Sequence, residues 1–202
     1  MARRTKEESE RTREKIIESA FDVFTSKGFT RTTLGDIAEA AGVTRGAIYW
    51  HFKDKVDLFM VLCDEIESSA GVRPDDLADS QVRTLQEVRE KVLEYLSHFE
   101  ENDSYGVLYE LLRYRTEYTE ELEPVRRMHQ ENQRKVLSRI KSIFGQLKNA
   151  GMIRENLDPE NAALMLTAFV CGLIELWLLD KTAFSIIQTA SSLLDDFLGG
   201  LA

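Results

Sequence analysis

Three observations on this 202-residue chain predict an all-α fold. Its apolar residues recur at helical spacing along nearly every run, and no segment shows the two-residue period of a half-buried strand. With 3 Pro and 11 Gly, the chain is also poor in the residues that punctuate sandwiches, collagen-like repeats and disordered tracts. The length suits one fold of about 200 residues or a small module joined to a larger one. Either can bury a core large enough to need neither disulfides nor a structural metal.

The elements follow in order. Ile16, Ile17, Ala20, Phe21 and Phe24 form the apolar stripe of a first helix, and Gly28 ends it. Thr33 followed three residues later by Asp36 reads as a capping box, opening a short helix through Ile37, Ala38 and Ala41. Gly42 and Val43 break that helix, and Thr44 caps a second short one running from Arg45 to Tyr49 or Trp50. Asp54 and Asp57 repeat the box-like pattern before a fourth helix whose apolar face holds Leu58, Val61, Leu62 and Ile66. A loose acidic connector follows Pro74, and then come runs at Leu85–Phe99, at Val107–Leu112 after Asp103, and at Val125–Leu147. Asp158-Pro159 is a cap with proline in the first helical position. It launches the most apolar segment, Ala162 to Leu179, and a last helix carries Ile186, Ile187, Ala190, Leu194 and Phe197. About nine helices are expected.

The segment from Ala162 to Leu179 comes close to membrane-spanning length. Glu175 inside it and Asp158, Glu160 and Asp180 around it favour a buried or seam helix, so no membrane is expected. The start of the chain shows no apolar leader, and Cys63 and Cys171 stand far apart without metal or redox spacing. A reducing, cytoplasmic setting is expected, with no disulfide and no metal.

Charge appears at first to exclude nucleic acid. Lys and Arg number 26 against 35 Asp and Glu, a net of −9 that would repel duplex DNA. The partition reverses that reading. The first 56 residues hold eleven basic and nine acidic side chains, a net of +2, and the rest carries −11.

Two short helices around Gly42 fit a helix-turn-helix, though a plain αα-hairpin has the same outline. A reading helix must present short or Arg side chains at its N-terminal end and anchor itself through its other face, here Val43 and Ile48. Arg45 has the fork that matches guanine O6 and N7, and Thr44 suits a thymine methyl or a phosphate. Gly46 and Ala47 keep bulk out of the approach. Tyr49, His51, Lys53 and Lys55 supply donors for phosphates. With Thr33, these nine residues are the candidate DNA contacts. Arg3, Arg4 and Lys6 fit either a minor-groove arm or a solvated terminus.

The string TTLGDIAEAAGVTRGAIYWHFKDKVDLF (residues 32–59) resembles the tetracycline-repressor (TetR) family of transcriptional regulators. Further along, Glu110-Leu-Leu, Thr116-Glu-Tyr-Thr-Glu, Ala150-Gly-Met-Ile and Gly172-Leu-Ile-Glu-Leu-Trp-Leu-Leu are similar to its AcrR-type branch, the multidrug-efflux repressors. The resemblance implies a homodimer with a three-helix DNA-binding domain, residues 1–54, and a ligand-binding and dimerisation body of six further helices, residues 55–202. It implies that Thr44 and Arg45 enter the major groove of a palindromic operator while Tyr49, His51 and Lys55 meet phosphates. It implies a small hydrophobic inducer bound among the middle helices, with Cys63, Glu67, Phe99, Glu110, Tyr114, Phe169, Cys171 and Glu175 as candidate lining residues. The last two helices are then the dimer seam, where Gly172 permits close approach; as an alternative they are monomer core.

No catalytic cluster is visible. His51, His98 and His129 are scattered, and no nucleophile, phosphate-loop or zinc motif is present. The expectation is therefore a non-enzymatic repressor without cofactors, probed against two alternatives: a regulator of lipid, acyl or other metabolic genes, and a helical protein-interaction adaptor.

Overall fold

The computed structural model describes residues 6–73, 82–101, 103–117 and 119–201. Arg3, Arg4 and Pro74 lie outside them. Among the described residues there are nine α-helices and no strand: α1 (Lys6–Lys27), α2 (Leu34–Ala40), α3 (Arg45–His51), α4 (Lys55–Ser69), α5 (Leu85–Glu100), α6 (Ser104–Tyr114), α7 (Glu123–Asn149), α8 (Pro159–Leu179) and α9 (Ile186–Gly199). A 3-10 turn, η1 (Glu120–Leu122), leads into α7.

The chain divides into two compact units. The first comprises the described part of Met1–Glu67 together with Val107–Met128. In it α1, α2 and α3 pack on one another around Ile16, Ala20, Phe24, Ile37 and Ile48, all fully buried. Phe24, Phe29 and Phe59 interlock below them, with ring centroids 4.9–5.6 Å apart. The later segment is tied to the same corner: Arg115 Nη1 donates to the Thr25 carbonyl at 2.8 Å.

The caps form where the sequence places them. The Thr33 hydroxyl accepts from the Asp36 amide while the Asp36 carboxylate accepts from the Thr33 amide, the reciprocal box that satisfies two orphan donors of α2. Lys27 at the end of α1 pairs with Asp36 at 2.7 Å and, with the Thr33 donors, holds that carboxyl far below its usual range. Gly42 has φ +61°, a left-handed turn that a side chain would resist, so its amide and that of Val43 close back on Glu39 and Ala38. Asp54 accepts from the Asp57 amide at 2.8 Å and Asp57 from the Lys53 amide at 2.9 Å, opening α4.

The second unit comprises Ser68–Gly106 and the described part of His129–Ala202. There α9 packs against α5 and α8. Arg89 on α5 reaches Asp195 at 2.7 Å and Ser191 at 2.5 Å on α9, and Phe169 of α8 stacks on Phe197 of α9 at 5.7 Å. Asp158 caps α8 by accepting from the Glu160 amide, with Pro159 next. Asp103 accepts from the amides of Tyr105 and Gly106 and so starts α6, while its other oxygen pairs with His98. Gly106 sits so close to α5 that a Cβ there would lie 2.6 Å from the His98 carbonyl oxygen. The corner is lined by Tyr95, Phe99 and Tyr105, with the two tyrosine hydroxyls 3.0 Å apart.

By length and composition α8 is the one helix among the described residues apolar enough to cross a membrane. Its buried side, including Ala163, Leu166, Leu173, Ile174 and Trp177, belongs to the second unit's core. The opposite side leaves Leu164, Met165, Leu176 and Leu179 exposed, Leu179 at 75%.

Candidate nucleic-acid interface and ligand residues

Helix α3 is amphipathic over only seven residues, and its two sides do different work. Ile48 and Phe52 are buried at 0% and 2% and fix the helix to the unit's core. Thr44, Arg45, Gly46, Tyr49 and Trp50 are exposed, with Ala47 and His51 half-buried between them. The Thr44 oxygen caps α3 by accepting from the Ala47 amide at 3.2 Å, which leaves its hydroxyl hydrogen able to point outward. Arg45 leans along the helix to the Tyr49 hydroxyl at 3.4 Å, a long contact that yields readily to a better acceptor. This is a solvent-facing row of donors on a rigid, anchored helix, with no acidic residue in the first turn to repel a polyanion.

The other expected contacts are placed less uniformly. Lys53 is exposed beside the start of α4. The Thr33 hydroxyl is exposed but already committed to both sides of its box, donating to Asp36 at 2.6 Å. Lys55 is turned inward: its ammonium donates to the Phe29 carbonyl at 3.2 Å, lies 4.1 Å from the Phe29 ring centroid and 3.6 Å from Glu121. Two residues absent from the expected set belong to this face. Trp50, 81% exposed, is the most exposed large apolar side chain described. Lys15 brings its ammonium beside the Gly42 turn, 3.6 Å from where a Cβ would stand. Exposure of an indole in a reading helix was a signal available from the spacing to Ile48 and Phe52; the position of Lys15 was not, since nothing local links it to Gly42.

The expected ligand residues divide between the two units. Cys63 and Glu67 on α4 and Glu110 and Tyr114 on α6 each stand one turn apart within the first. Cys63 is fully buried, and burial together with the nearby Glu67 charge pushes its thiol well above the ordinary range. Tyr114 is 47% exposed. In the second unit Phe99 belongs to the Tyr95–Tyr105 corner and Phe169 to the stack with Phe197. Cys171 and Glu175 follow each other on one face of α8, both half-buried.

Comparison with known proteins gives a consistent result along the whole chain. Residues 16–62 match the family model "Bacterial regulatory proteins, tetR family", and residues 83–202 match "MAATS-type transcriptional repressor, C-terminal region". The HTH-type transcriptional regulator TtgR of Pseudomonas putida is 39% identical over 183 residues, covering 89% of this chain and 86% of its own. Among solved structures, NalD of Pseudomonas aeruginosa, the secondary repressor of the MexAB-OprM multidrug efflux pump, superposes with a TM-score of 0.82 at 29% identity, over 96% of this chain and 97% of its own. SmeT, solved as a complex with triclosan, superposes with a TM-score of 0.81 at 26% identity, over 94% of this chain and 91% of its own.

Proposed function

We infer function from kinship and geometry together: the chain belongs to the tetR family of bacterial regulatory proteins. It is a ligand-responsive, DNA-binding transcriptional repressor of the multidrug-efflux type, and not an enzyme. The finer reading rests on one observation, the exposed row Thr44, Arg45, Tyr49 and Trp50 held out on α3 by buried Ile48 and Phe52. In this reading α3 lies in the major groove, Arg45 and Thr44 meet base edges, and Tyr49, His51, Lys53 and Lys55 engage phosphates around them. Residues 1–54 form the DNA-binding domain, and residues 55–202 serve ligand and dimer apart from Lys55, which stands at the boundary and faces DNA.

Two copies joined through α8 and α9 present two such helices to the half-sites of a palindrome, about 34–36 Å apart. The exposed apolar side of α8 supports this seam. The effector is a small hydrophobic compound, the chemistry for which SmeT's triclosan complex is a precedent, the regulated gene encodes an efflux pump, and the repressor works in the cytoplasm. Release follows when the compound binds the DNA-incompetent conformation better than the competent one, and only in proportion to that difference. Selection of duplexes from a randomised pool should enrich an inverted repeat, and triclosan should weaken its capture. Failure to enrich any duplex at low salt would overturn the reading; enrichment with no response to triclosan or other hydrophobic compounds would overturn its inducer half.

A further inference from the structure

Lys55 stands at the start of α4, yet only 15% of its side chain is exposed. One N–H goes to the Phe29 carbonyl at 3.2 Å, and the ammonium rests 4.1 Å from the Phe29 ring centroid. An anion stands beside it as well: Glu121 of η1, whose Oε1 lies 3.6 Å away. All three belong to the first compact unit. The segment leading to Glu121 is fastened at the same corner, since Arg115 Nη1 donates to the Thr25 carbonyl at 2.8 Å and the Arg115 carbonyl oxygen would lie 3.2 Å from a Cβ on Gly28. Glu121 is therefore not a passing surface acid but a carboxylate delivered to Lys55 by long-range packing.

We propose that Glu121 is an internal competitor for Lys55, occupying the role of a phosphate oxygen until operator DNA replaces it. The proposal rests on the DNA-binding reading above. An ammonium has three donors and accepts any anionic oxygen, so carboxylate and phosphate compete for the same hydrogen. The carbonyl and ring contacts of Phe29 hold the ammonium at the exchange position whichever anion is present. The Glu121 contact is easily surrendered: 3.6 Å is an ion pair rather than a hydrogen bond, and 52% of the Glu121 side chain is exposed. The pair trims operator affinity rather than locking it.

A four-member cycle tests this: wild type, E121Q, K55A and K55A/E121Q, titrated against the selected duplex at 50 and 300 mM salt, with the thermal midpoint of each. E121Q should bind about 1.5–5-fold more tightly at the lower salt, the range expected for removing a partly exposed ion pair. That gain should shrink at the higher salt. K55A should weaken binding, and E121Q should add nothing in the K55A background. An equal gain in both backgrounds would overturn the proposal, because it would reflect only repulsion between an acid and DNA. Unchanged affinity of E121Q with an unchanged thermal midpoint would overturn it too, leaving the DNA-binding reading intact. If wild type binds no duplex, the DNA-binding reading fails first and the competition falls with it.

Discussion

At the scale of single residues, the side chains on α3 divide between anchoring and reading, and Arg45 is the sharpest test of the second role. Its contact with the Tyr49 hydroxyl at 3.4 Å costs little to leave. Replacing it with Ala should lose about 1–3 kcal/mol on the selected duplex and flatten the preference at one base pair. Titration against single-base variants checks this, and a preserved preference would remove Arg45 from the readers. His129 gives a test independent of DNA. Burial lowers its imidazole below the ordinary 6.5, so the unfolded chain holds a proton that the folded chain has already released. Its contribution is therefore complete above about pH 6.5, falls as the pH drops towards the folded value and is flat below that. Urea unfolding between pH 7.5 and 5 should show a decline that His129→Gln reduces. Arg45 and Thr44 were legible in the sequence because the Gly42 break and the Thr44 cap place them at the N-terminal end of α3. The inward turn of Lys55 was not, because Phe29 and Glu121 sit 26 and 66 positions from it and share no period with it.

At the scale of elements, what local chemistry writes, the chain shows openly. Thr33 and Asp36 spell the start of α2, Asp158 and Pro159 that of α8, and both form as spelled. The turn η1 carries no such spelling: its Thr119 makes no side-chain cap, and the turn is closed by the Leu122 amide on the Thr119 carbonyl with Leu122 fully buried. The α5–α6 corner is likewise a matter of approach rather than propensity. With a Cβ at Gly106 only 2.6 Å from the His98 carbonyl oxygen, neither backbone can give way cheaply. Gly106→Ala should cost about 1–3 kcal/mol of stability, as overpacked sites do. The denaturant midpoint measures it, and an unchanged midpoint would show that α6 can shift without penalty.

For the molecule as a whole, the proposed seam on the exposed apolar side of α8 is the feature to test. Leu164 and Leu176 are 56% and 61% exposed, a cost that a second copy would remove. Both are already partly buried, so covering what remains of each would contribute about 1–2 kcal/mol; if the proposed dimer forms through this face, Leu164→Glu with Leu176→Glu should convert it to monomer at micromolar concentration. Sedimentation velocity reads the mass directly, and a persisting dimer would move the seam elsewhere. The charge partition belongs to this scale as well. A net of +2 in the first 56 residues is too modest for a broad attractive field, so in the proposed dimer two such faces and a few placed donors carry operator affinity.

The fastening of Arg115 to Thr25 has a consequence in time as well as in space. The first compact unit takes its later strip from Val107–Met128, about sixty residues after Glu67 has been added to the chain. At about 5–20 residues per second, synthesis leaves the reading helices waiting roughly 3–12 s for the segment that completes their unit. During that interval a nascent chain would lack both the Arg115–Thr25 hydrogen bond and the Glu121–Lys55 pair. The unit that meets DNA is thus begun first and finished late, and a ribosome stalled before residue 128 would display it incomplete.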